Sequence, residues 1–164
     1  MEQVDIRTID PGDWDMAISL IWRVFLRCNA SDYEQEGIES FLNFISDEHL
    51  KQFCALGEFE CYGAYLGNRL AGVCLMRQIG HISLLFVDTD YHRCGIGSDL
   101  VSYVRDVARD KGRVRLTVNA TPFGIDFYHK TGFRDTDSWI EKEGIRYIPM
   151  ELRFTGSGIG ETAG

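Results

Sequence analysis

From Trp14 to Ala55 the apolar positions of the chain recur three and four apart, from Phe59 to Val87 they alternate or run together, and from Gly97 the helical spacing returns. Residues 4–8 alternate and predict a first strand. Asp10-Pro11 then offers an N-cap followed by proline at the first helical position. Trp14, Ile18, Ile21, Trp22 and Phe25 keep helical spacing, so a first helix lays an apolar stripe on the layer beneath it. Residues 29–36 are polar and predict a loop. Ile38, Phe41, Leu42 and Ile45 mark a second amphipathic helix, and a further helical stretch spans 47–55. After Gly57 the period changes: 59–66 and 69–78 around Gly67-Asn68 form a β-hairpin on a two-residue turn. Residues 81–87 are apolar almost throughout, as in a strand covered on both faces. A helix over 97–111 turns Leu100, Val101, Val104, Val107 and Ala108 inward and Asp99, Asp106, Arg109 and Asp110 outward. A strand over 115–119 follows, then a helix opened by Thr121-Pro122 and closed by Gly132, then strands over 133–138 and 145–154. The small, Gly-rich residues 155–164 predict a mobile tail.

This order, β-α-α-β-β-β-α-β-α-β-β, predicts one α/β domain over residues 1–154, with a mixed, mostly antiparallel sheet and helices on both faces. The strand–helix–strand unit from His81 to Asn119 supplies a central parallel pair through a right-handed crossover. Composition agrees: 164 residues, 45% hydrophobic and 26% charged, suit a compact domain with its own core and not a disordered chain.

The net charge of −8 is unevenly spread, with 13 acids against 4 bases in residues 1–60 and 12 against 13 thereafter. No basic stripe argues for nucleic acid. The acidic first third either raises the local concentration of a cationic partner or serves as a soluble face. Cys28, Cys54, Cys61, Cys74 and Cys94 show neither CxxC nor metal-ligand spacing, which predicts free thiols, no metal site and a reducing compartment. The start, Met-Glu-Gln-Val-Asp-Ile-Arg, does not read as a signal peptide, and no apolar run approaches the ~18 residues of a membrane span. These features predict a cytoplasmic protein with no membrane association.

The stretch from Leu84 to Leu100 carries the chemistry. A buried strand enters a short polar loop, and Gly95 and Gly97 open an amphipathic helix. Glycines let backbone approach a ligand closely, and the unpaired N–H groups of a first helical turn favour an anion such as pyrophosphate. A dinucleotide fingerprint would need glycine where Leu100 stands, and a P-loop would need Gly-Lys-Ser/Thr; both fail.

What remains resembles the GNAT superfamily of N-acetyltransferases, whose signature is Gln/Arg-x-x-Gly-x-Gly/Ala after a central strand. Here it reads His92-Arg93-Cys94-Gly95-Ile96-Gly97, departing from the pattern at His92. A second block, from Asn119 to Phe133, resembles the family's later motif, a polar strand end and a helix ending in Tyr-x-x-x-Gly-Phe. The ending from Gly144 to Met150 resembles a bacterial branch of the superfamily.

The resemblance implies acetyl-CoA as cosubstrate and a primary amine, on a small molecule or a peptide N-terminus, as acceptor. Leu85, Phe86 and Val87 would present backbone groups to the pantetheine and the thioester carbonyl, and the loop residues His92, Arg93, Cys94, Gly95, Ile96, Gly97 and Ser98 would hold the pyrophosphate. Asn119 would bond the pantetheine arm and Tyr128 would protonate the departing thiolate. For the general base, period two puts His81 on one face with Ser83, Leu85 and Val87, and its ordinary pKa near ~6.5 suits the task; Glu34, Glu36 and Glu39 are alternatives. A non-catalytic acyl-CoA-binding sensor or assembly subunit is the rival reading, kept open by the lack of an obvious glutamate base. The acceptor's identity stays open, as does the oligomeric state, a homodimer being common among look-alikes.

Overall fold

The computed structural model describes residues 3–46 and 48–154. The tail over 155–164 and position 47 of the third helical stretch lie outside them. The strands are β1 (Asp5–Thr8), β2 (Phe59–Leu66), β3 (Arg69–Arg77), β4 (His81–Val87), β5 (Arg115–Ala120), β6 (Arg134–Asp135), β7 (Ile140–Lys142) and β8 (Ile145–Arg153). The helices are α1 (Trp14–Val24), α2 (Gln35–Ser46), α3 (Glu48–Ala55), α4 (Ile96–Asp110) and α5 (Ile125–Lys130). The strands pair in the order β1-β2-β3-β4-β5-β8-β6, with β7 on β8. Every pairing is antiparallel except β4 with β5, which is parallel, so the mixed sheet and its central parallel pair are as the sequence predicts.

Two cores cover the two faces. Leu100, Val101, Val104 and Ala108 of α4 pack with Ile82, Leu116, Val118, Met150 and Tyr128 on one side. Ala17, Leu20, Ile21 and Val24 of α1 pack with Ile45, Val73, Leu75 and Leu84 on the other. Burying that much branched aliphatic and aromatic surface is the main favourable term in holding helices to sheet.

The structure corrects several sequence expectations. α1 widens beyond Val24 into a π turn, Phe25–Asn29, followed by a short 3-10 turn, Ala30–Asp32, where a polar loop was expected. The wide turn buries both Phe25 and Asn29. The strand expected over 133–138 is reduced to Arg134–Asp135, and an unpredicted hairpin joins β7 to β8 through Glu143 and Gly144, at φ 53° and 81°. Two successive left-handed residues match the right-handed twist of the flanking strands. Pro149 sits inside a paired strand because its side without an N–H faces short β6, to which its carbonyl is bonded by Thr136 N–H at 2.9 Å.

All five cysteines are free thiols. Among the described residues, no helix is long and apolar enough to cross a membrane, and no cluster of His, Cys, Asp or Glu is arranged to hold a metal ion.

Candidate active site

The parallel pairing of β4 with β5 lasts for two residue pairs, His81 with Thr117 and Ile82 with Val118. Beyond these the strands part, and a cleft of about 1370 Å³ opens between them. The cause lies in β4. Against β3, Met76 faces Ile82 but Leu75 faces Leu84, so Ser83 is an extra residue, a β-bulge.

The bulge resets the phase of the strand. Ile82 packs in the α4 core, yet so do Leu85 and Val87, while Leu84 and Phe86 pack in the α1 core. Strict alternation would have kept Ile82 and Leu84 together, and the shared face expected for His81, Ser83, Leu85 and Val87 therefore does not exist. His81 lies opposite Ile82, on the side of Leu84 and Phe86. The backbone shifts with the side chains. Asp88 N–H donates to Ala71 O at 2.8 Å, so alternation turns the peptide groups of Phe86 toward β3 and those of Leu85 and Val87 into the gap. One of these is already used: His92 Nε2–H donates to Val87 O at 2.7 Å. A carbonyl only accepts, so this contact fixes the imidazole tautomer. Of the three residues expected to offer backbone, Leu85 and Val87 turn peptide groups to the gap, and Phe86 turns its peptide groups to β3 and its ring to the α1 side.

At one end of the cleft stands the first turn of α4. Arg93 and Gly95 both take positive φ, 67° and 85°, and the chain turns sharply into the helix. Cys94 N–H is bonded to Tyr91 O, and Asp99 N–H is the first to bond back into the turn, to Gly95 O at 2.9 Å. The N–H groups of Ile96, Gly97 and Ser98 therefore lack intrahelical partners, an arrangement that favours negative charge at a helix N-terminus. Gly97 has a packing reason to be glycine, since a Cβ there would stand 3.0 Å from the Phe127 ring. Arg93, Cys94 and Ser98 are exposed, and Ile96 is buried beneath them.

Tyr128 of α5 lines the same cleft, 8% exposed, its ring edge-on to Phe127 and Phe133 at 5.1 and 5.3 Å. Burial, with a smaller push from Cys74, holds its hydroxyl well above the usual phenol range, so it stays protonated. Asn119, on the face opposite the α4 core, is exposed at the cleft wall. His81 is half-buried, with Nδ1 2.8 Å from Thr117 Oγ1. Burial first, then the charge of Arg77, holds its imidazole below the ordinary value.

Glu34, Glu36 and Glu39 do not line the cleft. Glu34 N–H is bonded to Gly144 O at the β7–β8 turn, and Glu39 accepts from Gln35. What the sequence did not reveal is the opposite wall, made by the side chains of Asn29, Tyr33, Phe41, Phe44 and Phe86, the last expected to act only through its backbone. The density of aromatic residues between Trp22 and Phe44 was the available signal, but on periodicity alone such residues read as core.

Comparison with known proteins places this architecture. The chain is 33% identical over 58 residues to glucosamine 6-phosphate N-acetyltransferase of Trypanosoma brucei brucei, a stretch covering 35% of this chain and only 40% of that protein. It is 23% identical over 155 residues to the uncharacterized N-acetyltransferase YafP of Escherichia coli, covering 94% of this chain and 97% of that one. In fold it is similar to a GCN5-related N-acetyltransferase from Rhodopseudomonas palustris, with a TM-score of 0.80 and 22% identity over 94% of this chain and 98% of that one. It is also similar to the PaiA N-acetyltransferase of Thermoplasma acidophilum, solved in complex with coenzyme A, with a TM-score of 0.79 and 20% identity over 93% and 99% of the two chains. Residues 29–154 match the family model of the acetyltransferase (GNAT) domain, and the chain belongs to that family.

Proposed function

We propose that the protein is an acetyl-CoA-dependent N-acetyltransferase, with residues 1–154 as its catalytic domain, that moves an acetyl group to a primary amine by direct attack in a ternary complex. The observation that carries this reading is the parting of β4 from β5, which leaves peptide groups of Leu85 and Val87 facing a cleft that ends on the open first turn of α4. That a structural relative was solved with coenzyme A supports the same use of the cleft here.

In this reading the free N–H groups from Arg93 to Ser98 hold the pyrophosphate, with Cys94 N–H the exception because Tyr91 O occupies it. The His92 side chain serves the loop and not the phosphate: its bond to Val87 O ties the loop to the end of β4. Leu85 and Val87 N–H stabilise the oxyanion that forms as the amine nitrogen attacks the thioester carbonyl carbon. Asn119 holds the pantetheine arm. As the C–S bond breaks, Tyr128 donates its proton to the sulfur. A thiolate leaving beside the buried Tyr128 hydroxyl is partly desolvated as well, so its proton affinity rises alongside that of the phenol. The amine's proton goes to His81, directly or through water; this requires Nδ1–H to donate to Thr117 Oγ1, leaving Nε2 free. Holding both substrates removes much of the entropy cost of their meeting.

The rival, a non-catalytic acyl-CoA sensor, draws on one observation: Glu58 and Asp126 are the carboxylates among the residues described along the cleft, and both are exposed. Calorimetry with acetyl-CoA on wild type and Gly95→Glu tests the cosubstrate site, because a Cβ at Gly95 meets no protein atom within 4 Å, while the φ of 85° strains the turn and the carboxylate repels a phosphate there. Binding by wild type that the substitution abolishes, while circular dichroism shows the variant folded, is the expected result. No binding by either protein refutes the proposal, and binding without thiol release for any amine favours the sensor.

A further inference from the structure

Resting on the transferase reading, we infer that the acceptor is a primary amine carried on a flat, uncharged aromatic group, an arylalkylamine, and not a polyamine or an amino sugar. The inference comes from the wall opposite the α4 turn. The Ser83 bulge swings the Phe86 side chain onto that face, between the two residues whose peptide groups face the gap. Phe41 of α2 meets Phe86 at 5.8 Å between ring centroids, inclined at 59°. Behind Phe41, Phe25 is stacked at 4.1 Å and 9°, and Tyr33 meets Phe25 edge-on at 4.8 Å. Phe44 continues the wall and is braced edge-on by Phe59 at 6.3 Å.

Phe41, Phe44 and Phe86 are each half-buried: part of each ring is in the core and part borders the cleft. An acceptor reaching the thioester passes along these exposed ring faces, whose edge-to-face and offset geometries favour another aromatic ring. Two polar groups of the wall, Asn29 and Tyr33, are neutral, while the charged Glu58 and Arg77 of the same cleft are exposed. Asn29 is 9% exposed, and burial pushes the Tyr33 hydroxyl up to about 12, while a hydrogen bond to Thr121 opposes that shift. Of the acids of the first third, Glu58 lines the cleft but is exposed to solvent, and Glu34, Glu36 and Glu39 do not line it. A second ammonium of a polyamine would be desolvated against phenyl rings with no buried carboxylate among the described lining residues to pair it, Glu58 and Asp126 both being exposed, and that is costly. A sugar would leave most of its hydroxyls unpaired there.

The same wall performs part of the base's task. An apolar surround disfavours the ammonium form of a bound amine, so the acceptor nitrogen loses its proton more readily at neutral pH. This accounts for a cleft with so few carboxylates.

The test is a thiol-release assay with acetyl-CoA and three acceptors: 2-phenylethylamine, spermidine and glucosamine 6-phosphate. Wild type is expected to favour 2-phenylethylamine by about tenfold or more in kcat/KM, the scale on which apolar pockets discriminate. Phe41→Leu is expected to raise KM for 2-phenylethylamine severalfold with the acetyl-CoA affinity unchanged. Phe44→Asp, which puts a carboxylate in the wall, is expected to shift preference toward spermidine, a gain that misfolding cannot imitate. Intact acetyl-CoA binding with spermidine or glucosamine 6-phosphate preferred by wild type, or with 2-phenylethylamine not used, overturns the acceptor class and leaves the transferase reading standing. Absent acetyl-CoA binding overturns the reading beneath it as well.

Discussion

A single methyl group on Gly37 tests how the acceptor wall is held. Gly37 lies buried in the first turn of α2, and a Cβ there would stand 2.5 Å from Gly144 O, 2.9 Å from Gly144 C and 3.0 Å from Ile145 Cγ1. The reverse view is as tight: a Cβ on Gly144 would stand 2.6 Å from Gly37 N. Carbon and carbonyl oxygen rest at about 3.3–3.6 Å, so the backbones of α2 and the β7–β8 turn would have to part by about 1 Å. No side chain can rotate to relieve this, because the obstacle is the peptide of a residue at φ 81°. Overpacking costs about 1–3 kcal/mol, and weakening the Glu34 N–H bond to Gly144 O (3.0 Å) adds about 1 kcal/mol. Alanine's better helix propensity returns about 1 kcal/mol. The net loss is about 2 kcal/mol, or a fall in Tm of about 4–8 °C for a chain of this size. Gly12→Ala is the control: the same chemical change meets nothing within 4 Å, and the variant is expected to melt no lower than wild type. Because Phe41 and Phe44 ride on α2, Gly37→Ala is also expected to raise the amine KM while acetyl-CoA affinity holds. Thermal melts followed by circular dichroism read the first effect and thiol release the second. A Gly37→Ala protein melting at or above wild type would refute the argument that backbone contact seats α2.

Tyr128→Phe keeps the ring contacts with Phe127 and Phe133, so melting is expected to stay within about 2 °C while kcat for thiol release falls about 100-fold, the low end for a general acid because a thiolate already leaves tolerably. Wild-type kcat/KM is expected to show no alkaline fall from Tyr128 up to pH ~10, since burial holds its hydroxyl above that ordinary value; an unchanged kcat in the variant removes Tyr128 from the acid role. His81, held below its ordinary value by burial and Arg77, is expected to give an acid limb in kcat/KM centred below pH ~6.5. Its linkage has the same sign: the unfolded chain takes up the proton first, so stability is full above about pH 6.5 and is lost as pH falls through the folded value. His81→Asn is expected to remove both effects, and a variant that retains the acid limb excludes His81 as base.

The fold was legible because its signals are local. The 3.6-residue stripe of α4 and the Gly67-Asn68 turn each follow from a few neighbouring residues, and the observed elements agree with them to within one or two positions. The loop at Gly95 was legible for a related reason, since left-handed backbone there demands glycine. What escaped was set by distant contacts. Nothing in Ser83 marks it as an extra residue; the bulge exists only in the pairing with β3, and reading the strand as strictly alternating put His81 and Leu85 on one face. The hairpin at Glu143-Gly144 escaped because glutamate rarely takes a positive φ, and the wall of Phe41, Phe44 and Phe86 because half-buried aromatics at helical spacing look the same as core.

That one irregularity couples the two halves of the site. A regular β4, continuing in the phase of Ile82, would have turned the Leu84 and Phe86 peptides to the gap and their side chains into the α4 core, and would have left Leu85 and Val87 bonded to β3. With Ser83 inserted, the strand meets β5 in one phase at Ile82 and leaves it in the other. The peptides that face the gap then belong to residues whose side chains anchor in the α4 core, beside the helix that offers its first turn. The residue between them, Phe86, turns its ring toward α2. Thioester chemistry and acceptor recognition are thereby assigned to alternate residues of one strand, so a change in the ring of Phe86 can alter which amine is accepted without moving the backbone that polarises the thioester.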